Sequence, residues 1–311
     1  VALATSWRAS LLSLSGNDQD ARDLVREAVE EAEQRGRRAL LPLWRTTQAR
    51  HLLDAGQLAV AEQELDAAEQ ATAATGLSFT GELAALATRA RVAFHTGDDA
   101  TIEACTARAH VCLSSNDPQQ RQIGAWIALI TAAYRDRHVT GHQLSSAAAY
   151  SRRGHVHTAG IDPADAVMLV RAALVSGLRE VAASAVEFAE SRAQRNPRFP
   201  LFEAVATHAR GLLEADRGRL MDAAERYGSS RPLLRAQAWE DAGGLPAAAG
   251  FAEAQACFER ALEEYEACGA HRDSRRARSR LRKLGVRPAA AANAPDIEWR
   301  GLTRLNWVSY A

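Results

Sequence analysis

The sequence predicts an all-α chain of stacked helical hairpins. Two observations carry that prediction. The first is composition: of 311 residues 47% are apolar, alanine dominates that fraction, aromatics are 6%, and β-branched runs are nearly absent. Ala, Leu, Arg and Glu are strong helix formers, and an ordinary apolar content is enough for a sizeable core. The second is a glycine period, with spacings of 40 (Gly16 to Gly56), 41 (Gly56 to Gly97), 80 (Gly97 to Gly177) and 41 (Gly177 to Gly218). The interval of 80 leaves room for two units.

Each glycine opens the same register. An alanine stands five residues on, an apolar residue four further, and an alanine three further. The strict sets are Gly16-Ala21-Val25-Ala28, Gly56-Ala61-Leu65-Ala68 and Gly177-Ala182-Val186-Ala189. Gly97-Ile102-Thr106-Ala109 is looser, Gly218-Ala223-Tyr227 is partial, and Gly250 opens a copy one residue shorter, Ala254-Phe258-Ala261. A middle copy would start near Gly141, where Ser146 and Tyr150 fit the register poorly. Positions i, i+4 and i+7 share one helix face. Small residues there admit a close neighbour, and the glycine ends the helix before it in the left-handed conformation. Asp117-Pro118 and Asp162-Pro163 read as helix starts, an N-cap followed by proline. "EAQACFERALEEYEACG" is amphipathic, with Phe258, Ala261, Leu262 and Tyr265 inward, and Gly269 stops it. "HRDSRRARSRLRKLG" follows with a narrow stripe of Ala277, Leu281 and Leu284, as suits a capping last helix.

The pattern of Gly, Ala, large apolar and Ala resembles a tetratricopeptide repeat across most of residues 1–268, with a longer period. The resemblance implies a TPR-like α-solenoid, in which hairpins that cannot bury their faces alone must stack.

Chemistry is sparsely signalled. Lys283 is the only lysine, between Arg282 and Leu284, so no P-loop with its Gly-Lys-Ser/Thr exists. No G-x-S-x-G elbow occurs. Carboxylate pairs such as Glu30-Glu31, Asp98-Asp99 and Glu263-Glu264 read as solvated faces. Cys105, Cys112, Cys257 and Cys268 form no C-x2-C pair and read as buried thiols. His138, His142, His155 and His157 cluster, but Gly141 and Thr140 favour a turn, so they read as loop histidines ahead of a metal or pH site. Trp44, Trp126 and Trp239, with Phe94, Tyr134, Phe188, Phe199 and Phe202, read as core or as lining for a concave face. The expectation is a protein that is no enzyme and holds no cofactor or metal. The longest apolar run, "IGAWIALITAAY" at 123–134, is shorter than the ~20 residues that span a bilayer. With no signal segment after Val1, the chain reads as a soluble, cytoplasmic piece of a longer protein.

One stretch stands out. Residues 268–288 hold seven Arg, one Lys and one Asp in a chain of zero formal net charge. Pairing with the Glu-rich helix before it, and with its own C-terminal macrodipole, explains part of that charge. Contact with a nucleic-acid backbone is the competing role, and Arg275, Arg278 and Arg282 are the candidates for backbone contact or interdomain relay.

The segment Gly218 to Pro288, with its Arg-rich "LRKLGV", resembles the end of the helical-repeat region of large LuxR-family transcriptional regulators of actinobacterial type. The resemblance implies a repeat domain over 1–287, a linker over 288–298 ("AAAANAPDIE" lies within it and at its edge), and the truncated start of a helix-turn-helix DNA-binding domain over 299–311, opened by "WRGLT". Asn306 stands where that family has Glu, and the recognition helix is not in the sequence, so no DNA-contacting residue carries over. The implied function is a sensor and interaction segment. An effector or protein partner on the concave face shifts repeat packing, and the last helix relays the change to a DNA-binding domain. The alternative is a free-standing TPR-like adapter that never touches DNA.

Overall fold

The computed structural model describes residues 2–75, 81–134, 144, 162–245 and 251–285. Fourteen α-helices run through them: α1 (Ala2–Leu14), α2 (Asp18–Gln34), α3 (Leu41–Asp54), α4 (Leu58–Thr75), α5 (Glu82–Thr96), α6 (Asp99–Leu113), α7 (Pro118–Tyr134), α8 (Asp165–Val175), α9 (Arg179–Arg195), α10 (Pro200–Glu214), α11 (Arg217–Tyr227), α12 (Pro232–Gly244), α13 (Phe251–Ala267) and α14 (His271–Lys283). A 3₁₀ turn, Arg38–Leu40, leads into α3. No strand occurs among the described residues. The all-α helical-repeat fold read from the sequence is the fold observed.

Successive helices pack on one another as hairpins: α1 on α2, α3 on α4, α5 on α6, α8 on α9, α10 on α11 and α12 on α13. The turns at Gly16, Gly56 and Gly177 follow one rule. At Gly56 the chain has φ +73°. The N–H of Gln57 then donates to the carbonyl of Leu52, and that of Gly56 to Leu53, which satisfies carbonyls the helix end leaves orphaned. Gly16 and Gly177 make the same pair of bonds.

Gly218 departs from the expected rule. It lies inside α11, and the left-handed residue is Ala215, at φ 55°. Asp216 N–H donates to the carbonyl of Gly211 and the Asp216 side chain caps the Arg219 N–H at 3.1 Å. Counting from Ala215, Leu220, Ala224 and Tyr227 occupy the three register positions, and all are buried. The hairpin period shortens here, and alanine bears the strain that glycine avoids elsewhere.

The stripes after Gly56 and Gly177 behave as the period implies, whereas in α2 Ala28 is only partly buried and Val29 is buried in its place. Ala61, Leu65 and Ala68, and Ala182, Val186 and Ala189, are each at most 4% exposed. In the outer helices α4, α6 and α9 only such a stripe is buried. The inner helices are covered on more sides, with eight buried residues in α3 and nine in α10. All four cysteines are free and buried. Trp44, Trp126 and Trp239 are buried too.

Contacts also cross the array. α1 reaches α10, α3 reaches α5, and the last helix α14 packs on α5. A Cβ at Gly56 would stand 2.4 Å from Cys268 Sγ and 2.8 Å from Pro232 Cγ, so the second hairpin abuts the end of the array. The inner face is therefore largely occupied by the chain's own helices.

Gly56 and Gly177 share a φ of +73°, yet a Cβ at Gly177 meets nothing within 4 Å. Gly177→Ala is expected to lose about 1–2 kcal/mol from the left-handed strain alone. Gly56→Ala adds a packing clash and loses roughly 1–3 kcal/mol more. Urea unfolding of the two variants checks the difference; equal losses would mean that the second hairpin does not touch the end of the array.

Candidate functional site

The site is the inner face, where the ends of the inner helices converge and bury charge. Arg231, at the N-cap of α12, meets the first two hairpins. Its Nη2 donates to Ser13 Oγ at 2.6 Å and lies 3.0 Å from Asp18 Oδ1, while Nη1 lies 3.1 Å from Asp54 Oδ2. Ser13 Oγ donates in turn to Asp18 at 2.8 Å. The other oxygen of Asp54 takes Arg50 Nε at 3.2 Å, and Arg50 Nη2 continues to Asp162 at 2.8 Å. The Asp162 N–H donates to Asp165 Oδ2, and Arg91 Nη2 donates to Asp165 Oδ1 at 2.6 Å.

This chain holds three guanidinium groups and four carboxylates, and the titration behaviour follows from that imbalance. Burial alone would raise Asp162, but Arg50, Arg91 and the Ala164 N–H hold its carboxyl below the usual range. Asp165 is pushed upward by burial and by Asp162 beside it, against Arg91. Asp162 and Pro163, read from the sequence as an N-cap and first helical residue, instead form a turn ahead of the helix. α8 starts at Asp165 with Ala164 at its N-cap, because the Asp162 side chain accepts the Ala164 N–H at 2.9 Å and its carbonyl the Asp165 N–H at 2.9 Å, as aspartate does in turns.

Two further clusters centre on neighbouring residues of α12. Glu240 accepts Arg276 Nε at 2.6 Å and Arg276 Nη2 at 2.5 Å, and Tyr265 OH at 2.9 Å. Asp241 accepts His208 Nε2 at 2.9 Å and pairs with Arg171. Burial opposes ionisation of Asp241, but Arg171 and His208 outweigh it and its carboxyl sits well below the ordinary range. Burial also lowers His208 despite Asp241. A neutral ring fits its partners: Nε2–H donates to Asp241 and Nδ1 accepts from Tyr227 OH, at 3.2 Å.

The Arg-rich stretch is divided by this geometry. Arg276 and Arg280 face Glu240. Arg272 lies over the rings of Phe94 and Tyr134, 4.4 and 4.9 Å from their centroids. Of the three arginines singled out from sequence, Arg278 pairs with Glu266 of α13 at 2.5 Å. Arg275 and Arg282 are exposed and have no ion-pair partner among the described residues. Arg275 instead reaches the turn after α5, where a Cβ on Gly97 would stand 2.7 Å from its Nη2. The inward residues of the stretch are instead Arg272, Asp273 and Arg276. The one available signal was Asp273, the sole carboxylate in the stretch.

Between α3, α5, α7, α8 and α12 a cavity of about 50 Å³ remains, bordered by Asp54, Arg91, His95, Asp165 and Gln237 among others. That is room for a few waters, far below the ~300–1,000 Å³ of a typical small-molecule pocket. No cluster of His, Cys, Asp and Glu suited to a metal ion occurs among the described residues. His138, His142, His155 and His157, the linker over 288–298 and the "WRGLT" segment lie outside the described residues. No helix of the described residues is long and apolar enough to cross a membrane. No protein-family model matches the chain, and no curated protein matches it as a relative.

Two predictions arise from the buried charges. Glu240→Ala leaves Tyr265 OH without its acceptor and Arg276 with Asp273 alone, and is expected to cost about 3 kcal/mol, read as a lowered urea midpoint. Full retention of stability would remove Glu240 as an anchor. His51, buried in α3, is lowered to about 4, chiefly by burial. As pH falls from ~6.5 toward ~4 the unfolded chain takes up a proton that the folded one refuses, so stability falls with it, by roughly 3 kcal/mol at most. His51→Leu is expected to flatten the stability–pH curve in that window; an unchanged slope would contradict it. The depressed Asp241 and Asp273 carboxyls act at lower pH, where acid removes the stability they supply above ~4.

Proposed function

We propose that this chain is the helical-repeat interaction and relay segment of a LuxR-type transcriptional regulator, acting by contact and not by chemistry. The observation that carries the reading is the placement of α14. The Arg-rich helix that precedes the LuxR-like "WRGLT" segment is tied to the middle of the array, with His95 Nδ1 2.6 Å from Asp273 Oδ2 across 178 residues of sequence. A change in packing among the inner helices would therefore reach the chain beyond Leu284 directly. The buried arginines and carboxylates support a mechanical role, because the chain through Arg231, Arg50 and Arg91 and the cluster at Asp241 join helices distant in sequence. The inner cavity is too small for a drug-sized effector. With the inner face largely filled by the chain's own helices, a partner on the concave face, as the sequence reading has it, would have to part them, and engagement at the rim takes the place of that reading. Cytoplasmic placement belongs to the same proposal.

The reading predicts that the reading frame continues past Ala311 into a helix-turn-helix. It predicts also that the extended chain binds its operator at least ~10³-fold more tightly than residues 1–311 bind the same duplex. Fluorescence anisotropy with both chains tests this. A frame that closes at Ala311, with neither chain discriminating among duplexes, would favour the free-standing adapter.

A further inference from the structure

We propose that α14 is a releasable latch on the array, closed by Arg272 and Asp273, and that its release is the conformational step of the relay. The inference rests on the interaction-and-relay reading and names the device that would perform it.

α14 is held from two sides of different character. Toward its own hairpin it follows α13 through the tight turn at Gly269, packs along α13, and is clamped by Arg276 to Glu240 and Tyr265 of α12 and α13. Those neighbours are local in sequence. Toward the middle of the chain its first turn makes a separate contact, and that contact is polar. Arg272 Nη2 donates to the carbonyls of Tyr134, at 2.9 Å, and Ala133, at 3.2 Å, which are the last residues of α7. A cation there also meets the negative end of the α7 dipole. The same guanidinium lies against Phe94 and Tyr134, whose rings are 6.4 Å apart. Asp273, with no exposed surface, faces His95 of α5 and takes Arg276 Nη1 at 2.7 Å. Tyr134 OH donates to Asp99 at the start of α6 at 2.5 Å. The ends of α5, α6 and α7 thus meet the start of α14 at one point.

This asymmetry makes the contact releasable. Burying apolar surface is one-sidedly favourable, whereas a buried ion pair regains on pairing roughly what its desolvation costs. The α13–α14 hairpin therefore persists while the α5–α7 contact stands near balance, where a modest differential binding energy shifts the population. Release frees the first turn of α14, with Arg275 leaving Gly97, and uncovers the ends of α5 and α7.

Amide hydrogen exchange on the intact 311-residue chain, without DNA, tests the latch. In Arg272→Gln, exchange over 92–97 and 131–134 is expected to speed at least tenfold, while α13 and α2 keep wild-type rates. Arg272→Lys, which keeps the charge but loses the planar fork, should restore part of the protection. Phe94→Leu probes the same contact from the array side and is expected to open the same segments to a smaller degree; it also serves if Arg272→Gln fails to fold. Uniform acceleration along the whole chain, showing α14 to be an inseparable part of one cooperative body, would overturn the proposal. So would unchanged exchange in all variants. Because no DNA is present, a frame lacking a helix-turn-helix would defeat the regulator reading and leave this measurement intact.

Discussion

Small side chains on the packing stripe set the terms for this molecule. Ala21, Ala61, Ala109, Ala182 and Ala189 are almost wholly buried, and alanine offers little volume to hold two backbones apart. Hairpins that approach closely on one face force the array to curl. The curl is tight enough that α1 meets α10 and α14 meets α5. An open groove would have left the inner helix ends in water; here they face one another instead. Every ionisable group at those ends must then find a partner within the protein, since an unpaired buried charge costs several kcal/mol.

The buried clusters are the consequence. Arg231, Arg50 and Arg91 bridge Asp18, Asp54, Asp162 and Asp165, which stand on or beside α2, α3 and α8. Such a chain adds little net stability compared with apolar packing. It does fix geometry, because a guanidinium accepts few arrangements of its carboxylates. Apolar stripes of alanine alone would allow neighbouring hairpins to slide. The charged groups at the centre supply the register that uniform small residues do not.

Much of the fold was legible because its signals are local. The turn glycines, the i, i+4, i+7 stripes, the buried cysteines and the narrow face of Ala277 and Leu281 all follow from a window of some fifteen residues. Gly218 misled for a physical reason: a glycine suits the left-handed position so well that Ala215, three residues earlier, was not the expected occupant. The candidate site was scarcely legible. Arg231 and Ser13 are 218 residues apart, Arg91 and Asp165 are 74 apart, and no spacing rule joins them. Arginine on an amphipathic helix looks the same whether it faces water or a carboxylate from another hairpin. The outward set, Arg275, Arg278 and Arg282, was therefore easier to find than the inward set that holds α14 in place.

That division also answers why so much positive charge gathers in one short helix of a neutral chain. The capping helix of a curled array has two tasks with opposite electrostatic needs. Its inner side must neutralise carboxylates that the curl has already buried, and Glu240 and the α7 carbonyl ends receive Arg276, Arg280 and Arg272 for that reason. Its outer side meets no further helix among the described residues, and Arg275, Arg282 and Lys283 are exposed there. Asp273 is the exception that links the sides of the helix to the array: placed among arginines, it turns toward His95 and gives α14 one attachment that no arginine could make. A run of like charges is in this way a set of distinct contacts, each defined by the helix it faces.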